Sequence, residues 1–224
     1  IDIPAMMAKK KSVVTGLTGG VASLLKNSGV DCMQGTAVVH SGPKVELRAA
    51  DGSASEINTQ NVVIATGAIP SEIPPCPLAE DLIVDSTGAL SFDRVPERLG
   101  VIGAGVIGIE LGSVWSRLGS EVVLLEALDE FLPMVDQQVS REALRQYKKQ
   151  GLQIRLGTRV MSSEIRDGKV AVGYADKDGD HEEDFDRLIV AVGRRPYTEE
   201  LLSPDCGVTL DERGFIYVND LCHT

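Results

Sequence analysis

Apolar residues in the central part of the chain alternate between two spacings. Leu99 to Ile102 is a short apolar run that predicts a buried strand, and Val106 to Leu118 has the spacing of a helix. A second strand is expected at Glu121 to Glu126, followed by a second helix from about Gln137 to Gln150. Strands and helices in this order are typical of a parallel sheet covered by helices, so we expect an α/β fold.

The first third of the chain has a different pattern. Residues 9–27 carry apolar side chains close to helical spacing, although each glycine of the Gly19-Gly20 pair costs a helix about 1 kcal/mol. The apolar positions are Val13, Leu17, Val21, Leu24 and Leu25. We expect a helix that ends before Gly29 and then a meander of short strands. The predicted strands are Val30 to Val39, Lys44 to Ala49 and Ser55 to Gln60.

A continuous apolar run follows the meander. Val62 to Ala65 predicts a strand buried on both faces, which ends at Thr66-Gly67. The prolines between residues 70 and 77 disfavour a helix or a central strand and indicate a linker. We therefore expect a domain boundary at this segment or slightly after it.

The last part of the chain predicts further strands. Leu152 to Leu156 is one strand, and two others flank the Asp167-Gly168 turn. Residues Asp176 to Asp186 are expected to form an acidic turn, and Leu188 to Val192 is a buried apolar run.

Charge and cysteine content exclude several classes of function. The chain has 33 acidic and 22 basic residues and a net charge of −11, which argues against binding to a nucleic-acid backbone. Its four cysteines are far apart and show neither a metal-ligand nor a disulfide pattern. The sequence contains no membrane-span pattern and no signal peptide. Because it starts at Ile1 rather than Met, we expect it to belong to a longer protein.

A glycine-rich turn joins the first predicted central strand to the helix that follows. Gly103, Gly105 and Gly108 form the pattern G-x-G-x-x-G in this strand-turn-helix context. The first glycine makes the tight turn, the second lets a pyrophosphate approach the backbone, and the third lets the helix pack closely. The helix N-terminus then attracts phosphate charge. The alternative is that these glycines only make a tight turn.

An acidic residue follows at the spacing of a dinucleotide site. Glu126 is 18 residues after Gly108, at the end of the next predicted strand, where a carboxylate accepts hydrogen bonds from the adenosine ribose hydroxyls. Its charge would repel a 2′-phosphate. Residues 127–129 contain no arginine that could hold one. The sequence therefore predicts NAD rather than NADP.

The remaining candidate residues have simpler interpretations. Glu110 lies in the first turn of the helix and is expected to be an exposed carboxylate that complements the helix dipole. Trp115 is expected to pack against the sheet. The histidines have no evident nucleophile or metal partner, and no role is assigned to them. They are His40, His181 and His223.

Three segments together resemble the pyridine nucleotide-disulfide oxidoreductases, a family of flavoprotein reductases. These segments are Val63 to Ala68, Gly103 to Glu110 and Ala191 to Pro196. Within the family, three further segments are similar to the dihydrolipoamide dehydrogenases. They are Ile1 to Leu25, Leu132 to Asp136 and Lys148 to Val160. The resemblance covers essentially the whole chain.

The resemblance implies a fold and a domain order. A Rossmann-like NAD domain, with a parallel sheet, helices and a β-meander, is inserted in part of an FAD domain. Residues 1–92 would be the later part of the FAD-binding domain, 93–212 the NAD-binding domain, and 213–224 the start of the return to the FAD domain.

The resemblance also implies roles for individual residues. Glu110 would support the flavin, and Val106 would lie between nicotinamide and flavin. The implied NAD residues are Gly103, Ala104, Gly105, Val106, Ile107, Gly108, Ile109, Glu110, Glu126, Val160 and Gly193. The implied FAD residues are Ala37, Thr66, Gly67 and Ala68. We expect no catalytic or metal-binding residue here, because the redox cysteine pair and the His-Glu pair of the family are absent from this sequence.

In such enzymes electrons pass from dihydrolipoamide through a disulfide and FAD to NAD. The implied partners are lipoyl domains of 2-oxo acid dehydrogenase complexes or of the glycine cleavage system, with a homodimeric enzyme in the mitochondrial matrix or cytoplasm. No nucleic-acid or membrane partner is expected. This part alone is expected to be inactive and to have lost FAD binding. The alternatives are a related reductase, such as mercuric reductase or soluble transhydrogenase, and a non-catalytic nucleotide-binding domain.

Overall fold

A computed structural model describes residues 1–42 and 44–224 of the protein. Its helices are α1 (Ile3–Asn27), α2 (Val106–Leu118) and α3 (Gln137–Lys149), and a 3₁₀ turn covers Gly88–Ser91. Its strands are β1 (Thr36–His40), β2 (Lys44–Arg48), β3 (Ala54–Asn58), β4 (Ala68–Pro70), β5 (Ile83–Val84), β6 (Arg98–Ile102), β7 (Glu121–Leu125), β8 (Gln153–Arg155), β9 (Arg159–Arg166), β10 (Lys169–Asp176), β11 (Gly179–Phe185), β12 (Arg187–Val190) and β13 (Arg194–Pro196).

The chain divides into two units. Unit one contains residues 1–9 and 70–193, and unit two contains residues 10–69 and 194–224. Along the chain, most of unit one is therefore inserted between the two segments of unit two. The predicted functional domains, 1–92, 93–212 and 213–224, have other boundaries, and that assignment stays a prediction.

Unit one is built on a five-stranded sheet. The strand order is β5-β12-β6-β7-β8, and each neighbouring pair is parallel. Side chains from Val122 to Leu125 are at most 1% exposed, as expected for a strand covered on both faces. The α/β fold with a parallel sheet is confirmed.

Helix α2 covers one face of this sheet. Ile109, Leu111 and Trp115 belong to the same buried cluster as residues of β6 and β7. The Trp115 indole is 2% exposed, its Nε1 donates to the Ala89 carbonyl oxygen at 3.2 Å, and its ring contacts that of Phe92. The prediction that Trp115 packs against the sheet is confirmed.

A second, antiparallel sheet of unit one has the order β11-β10-β9. The prediction of an acidic turn from Asp176 to Asp186 was wrong, because the turn is short and Gly179–Phe185 forms β11. Its acidic side chains are accommodated in the strand by ion pairs: Glu182 contacts Arg166 at 2.9 Å, and Glu183 contacts Arg98 at 2.6 Å. These pairings offset the low strand propensity of acidic residues.

Unit two contains most of α1, the antiparallel sheet β1-β2-β3 and the pair β13-β4. The predicted N-terminal helix is confirmed, but it begins earlier, at Ile3, because the Asp2 carboxylate accepts the backbone N–H of Ala5 at 2.8 Å and caps it. The predicted meander is also confirmed, although its first strand is limited to Thr36–His40.

The strand predicted at Val62 to Gly67 was wrong. Residues 61–67 form no strand, and the Val63 side chain is 88% exposed. A strand buried on both faces needs paired neighbours and covering layers, and the described residues supply no ladder partner for this run. Its apolar character alone therefore does not produce a strand. Across the described residues, no helix has both the length and the apolar character needed to cross a bilayer.

Candidate dinucleotide-binding site

The carboxyl ends of the parallel strands in unit one border a cleft of about 740 Å³. It is formed by the ends of β6, β7 and β12, the start of α2, the start of β9, and the proline-rich segment. Its lining residues include Gly103, Gly105, Val106, Glu126, Arg159 and Gly193. Ligands of open α/β sheets bind at this edge of the sheet, where the strand order reverses.

The three glycines of the motif meet different surroundings. Gly103 has a φ of +95°, and an added Cβ there would lie 2.5 Å from the carbonyl oxygen of Ala191. At Gly108 an added Cβ would lie 2.1 Å from the carbonyl oxygen of Gly103. At Gly105, by contrast, it would meet no atom within 4 Å. Gly103 and Gly108 are thus required by the turn, whereas Gly105 leaves open space beside the backbone.

Helix α2 starts directly after this open space. Gly105 is its N-cap residue, and no side chain caps the helix. The backbone amides of the first turn have no intrahelical partner at such an end, and their dipoles favour negative charge. The geometry can therefore receive a phosphate group of a ligand.

Glu126 is fixed by backbone amides on both of its oxygens. Its Oε2 accepts from Ala104 N at 2.8 Å, and its Oε1 accepts from Leu128 N at 2.9 Å. The first bond joins the end of β7 to the glycine turn after β6. The carboxylate is half-buried and lines the cleft, and its remaining lone pairs can accept bonds from ligand hydroxyls.

The cleft brings together most of the predicted NAD residues. Those that line it are Gly103, Gly105, Val106, Ile107, Glu126, Val160 and Gly193. Four others are not among its lining residues. They are Ala104, which bonds to Glu126, the buried Gly108 and Ile109 at the start of α2, and Glu110, which is exposed on α2. The binding role of each residue stays a prediction.

Sequence reasoning missed two residues at the start of β9. Thr158 and Arg159 line the cleft, and Thr158 N donates to the Glu126 carbonyl oxygen at 2.8 Å. They are more than 30 residues beyond Glu126 in the sequence, so the residues next to Glu126 give no indication of them. The order of the parallel strands could have indicated them. The crossover after β7 places β8 beside β7, so the segment after β8 lies at the same edge of the sheet as Glu126.

The predicted FAD residues belong to unit two. Ala37 is half-buried on β1, Thr66 and Gly67 are exposed, and Ala68 starts β4. Gly67 has a φ of +73°, and its carbonyl oxygen accepts from Tyr197 N at 3.1 Å. These contacts fix a turn, and the role of the four residues toward FAD stays a prediction.

Cys76 and Glu183 are among the groups of unit one with a shifted pKa. Burial raises the pKa of the Cys76 thiol, which is fully buried and therefore unsuited to nucleophilic chemistry. Burial opposes ionisation of Glu183, yet hydrogen bonds from Arg155 and Tyr174 hold its pKa below the ordinary value. Within residues 1–42 and 44–224, no cluster of three or more His, Cys, Asp or Glu residues could hold a metal ion.

Comparison with known proteins shows similarity over the whole chain. The family model described as pyridine nucleotide-disulphide oxidoreductase matches residues 2–224. A dihydrolipoyl dehydrogenase of Cupriavidus necator is 43% identical over 100% of this chain and 47% of its own length. A mitochondrial dihydrolipoyl dehydrogenase of Mesocricetus auratus is 42% identical over 98% of this chain and 47% of its own length. The chain thus spans about half the length of these curated relatives.

Solved structures show the same fold. The HOCl-induced flavoprotein disulfide reductase RclA from Escherichia coli matches with a TM-score of 0.84 and 28% identity, over 98% of this chain and 49% of that one. LpdA from Mycobacterium tuberculosis matches with a TM-score of 0.88 at 24% identity, over 98% of this chain and 48% of that one. The chain therefore belongs to the pyridine nucleotide-disulphide oxidoreductase family.

Proposed function

We propose that the cleft of unit one binds NAD, and that the chain is the nucleotide-binding part of a dihydrolipoyl dehydrogenase. The observation that carries this proposal is the 2.8 Å bond between Glu126 Oε2 and Ala104 N. This bond holds a carboxylate beside a glycine turn at the start of a helix. The carboxylate suits an adenosine ribose, and the glycine turn with the helix N-terminus suits a pyrophosphate. The similarity to dihydrolipoyl dehydrogenases supports the choice of enzyme.

Each part of the dinucleotide has a matching group in the cleft. The pyrophosphate would take the amides at the start of α2, beside the open space at Gly105. The ribose hydroxyls would donate to Glu126. Val106, which is 58% exposed at the start of α2, would border the nicotinamide. Bound NAD supplies a ring that accepts hydride, and the residues of this chain bind and orient it.

For the whole protein we propose the oxidation of dihydrolipoamide, with FAD and a redox disulfide as electron carriers. The turn at Thr66, Gly67 and Ala68, together with Ala37, would contact FAD. The proposed partners are lipoyl domains of 2-oxo acid dehydrogenase complexes or of the glycine cleavage system. A homodimer in the mitochondrial matrix or cytoplasm is the assembly we propose.

A second candidate is another disulfide reductase of the same family. The similarity to RclA, at 28% identity and a TM-score of 0.84, favours it. Both candidates share the nucleotide cleft and differ in the substrate that delivers electrons. Assays of NAD binding therefore test what the two have in common.

The test is calorimetric titration of the chain with NADH and with NADPH, repeated with Glu126→Ala. We expect NADH to bind in preference to NADPH, and the substitution to weaken NADH binding about tenfold or more, since a charge-assisted hydrogen bond contributes about 1.5–3 kcal/mol. Glu130→Ala is the matched control, because Glu130 is an exposed carboxylate of the following loop that does not line this cleft. Absence of binding to the unmodified chain would contradict the proposal.

A further inference from the structure

Two oppositely charged side chains line the cleft, and the glycine motif does not account for the positive one. Of the residues that line it, Glu126 and Arg159 are the two with charged side chains, one of each sign. Arg159 is exposed at the start of β9, and its guanidinium makes no hydrogen bond or ion pair with the described residues of the chain. An unpaired cation at the rim of a cleft proposed for a phosphate-containing ligand is available for that ligand.

Two backbone hydrogen bonds locate Arg159 at one end of the cleft. Thr158 N donates to the Glu126 carbonyl oxygen at 2.8 Å, and Glu126 N donates to the Arg155 carbonyl oxygen at 2.9 Å. Arg159 therefore follows directly on a residue that is bonded to the backbone of Glu126. It lies at the adenosine end of the proposed site and not at the nicotinamide end near Val106.

Two neighbouring side chains of β9 differ in burial. Val160 pairs with Tyr174 across the ladder, and its side chain is buried, whereas Arg159 pairs with Ala175 and is exposed. Val160 thus forms part of the apolar wall. The Arg159 side chain is an exposed cation that lines the same cleft as Glu126, where the adenosine ribose is proposed to bind.

We propose that Arg159 is a specificity-determining residue for the 2′ position of the adenosine ribose. The Glu126 carboxylate bonds the hydroxyls of NAD and repels a 2′-phosphate. When glutamine replaces Glu126, Arg159 pairs with the 2′-phosphate and the cleft accepts NADP. The NAD preference is then the outcome of two opposing charges and not of Glu126 alone. This inference rests on the proposed function of the cleft.

The experiment is a double-substitution cycle on the full chain. Affinities for NADH and NADPH are measured by calorimetry for the unmodified chain, Glu126→Gln, Arg159→Met and the double variant. Glutamine at position 126 keeps an oxygen that can accept from Ala104 N while it removes the charge. Circular dichroism and thermal unfolding of each variant establish that it is folded.

We expect Glu126→Gln to increase NADPH affinity about tenfold or more, because the 2′-phosphate then forms a charge-assisted hydrogen bond with Arg159 and no longer faces a carboxylate. Addition of Arg159→Met should remove that gain, and Arg159→Lys should retain part of it because the charge is kept. Arg159→Met alone should weaken NADPH binding more than NADH binding, because NADPH alone carries the 2′-phosphate. Arg94→Met is the matched control, since Arg94 is an exposed arginine of unit one that does not line the cleft.

The outcomes separate this inference from the proposed function. If the unmodified chain binds NADH but the NADPH gain in Glu126→Gln is the same with and without Arg159, the inference is overturned and the proposed function stands. Equal weakening of NADH and NADPH by Arg159→Met would also overturn it, because Arg159 would then contact a part that both nucleotides share. If the unmodified chain binds neither nucleotide, the proposed function fails, and this inference fails with it.

Discussion

The carbonyl oxygen of Gly103 lies 2.1 Å from the position that a Cβ of residue 108 would occupy. The first turn of α2 is thus packed against the glycine turn with no room for a methyl group. An added Cβ at Gly105 would instead meet no atom within 4 Å, and its φ of −71° is accessible to any L-residue. Gly108 is therefore required by the fold, whereas the open space at Gly105 suits the proposed ligand.

Gly108→Ala should mainly lower the free energy of unfolding, whereas Gly105→Ala should mainly weaken NADH binding. Gly108→Ala forces α2 away from the turn, and we expect a loss of about 3 kcal/mol in the free energy of unfolding. Gly105→Ala should leave that free energy within about 0.5 kcal/mol of the unmodified value, yet weaken NADH binding, because the methyl group fills the space proposed for the pyrophosphate. Urea unfolding and calorimetric titration measure the two effects. Unchanged NADH affinity in a folded Gly105→Ala variant would contradict this placement of the pyrophosphate.

Glu183→Gln should destabilise unit one. Glu183 contacts both Arg98 and Arg155, with a side chain only 18% exposed. Its neutralisation leaves Arg155 without this charge partner and Arg98 with the longer contact to Glu121 at 3.5 Å. We expect a loss of about 2 kcal/mol, less than for a fully buried pair because the cluster is partly solvated.

The pH dependence of this loss follows from the lowered pKa of Glu183. A carboxyl whose pKa is depressed in the folded state stabilises the fold above its ordinary pKa of 4.5, and this contribution is lost as the pH falls. The difference between Glu183→Gln and the unmodified chain should therefore shrink in acid. Glu182→Gln is the control on the same strand, since the ion pair of Glu182 with Arg166 is exposed and should contribute little to the free energy of unfolding. Equal effects of the two substitutions would contradict the role assigned to Glu183.

The sequence predicted the parallel part of the fold well because its signals are local. Val106 to Leu118 was predicted as a helix, and the structure has the same bounds, since the glycine turn sets its start and Gly119, with a φ of +119°, allows it to end. The glycine motif and Glu126 were likewise recognisable because turn, helix and acid lie within one βαβ unit.

The errors arose where structure depends on distant partners. Residues 179–185 are acidic and were predicted as a turn, but arginines on three other strands hold them in a ladder. Val62 to Ala65 is apolar and was predicted as a strand, but a strand needs neighbours that local sequence does not specify. Arg159 was missed for the same reason, because only the strand order of the sheet brings it beside Glu126.

Tyr174 should ionise late in an alkaline titration. Burial, and then its hydrogen bond to the Glu183 carboxylate, raise the pKa of Tyr174 to about 12 from the ordinary 10.0. A group whose pKa is raised in the folded state stabilises the fold fully below its unfolded pKa, so this contribution is lost as the pH rises from 10 to about 12. Absorbance of tyrosinate measures the ionisation, and Tyr174→Phe should remove the component near pH 12. A titration curve that Tyr174→Phe leaves unchanged above pH 10 would contradict the prediction.

Helix α1 should drive self-association of this chain. Leu17 and Leu24 are both 68% exposed, and Val13, Val14 and Val21 on the same helix are about half exposed. A contiguous apolar surface of this kind is a site of association in soluble proteins. Light scattering should show a mass that rises with protein concentration, and the double substitution Leu17→Gln, Leu24→Gln should reduce the rise. Met134→Gln is the control, because Met134 is 96% exposed in a loop of unit one. A constant monomer mass for the unmodified chain, or equal masses for the α1 variant and the unmodified chain, would show that this helix face does not mediate association.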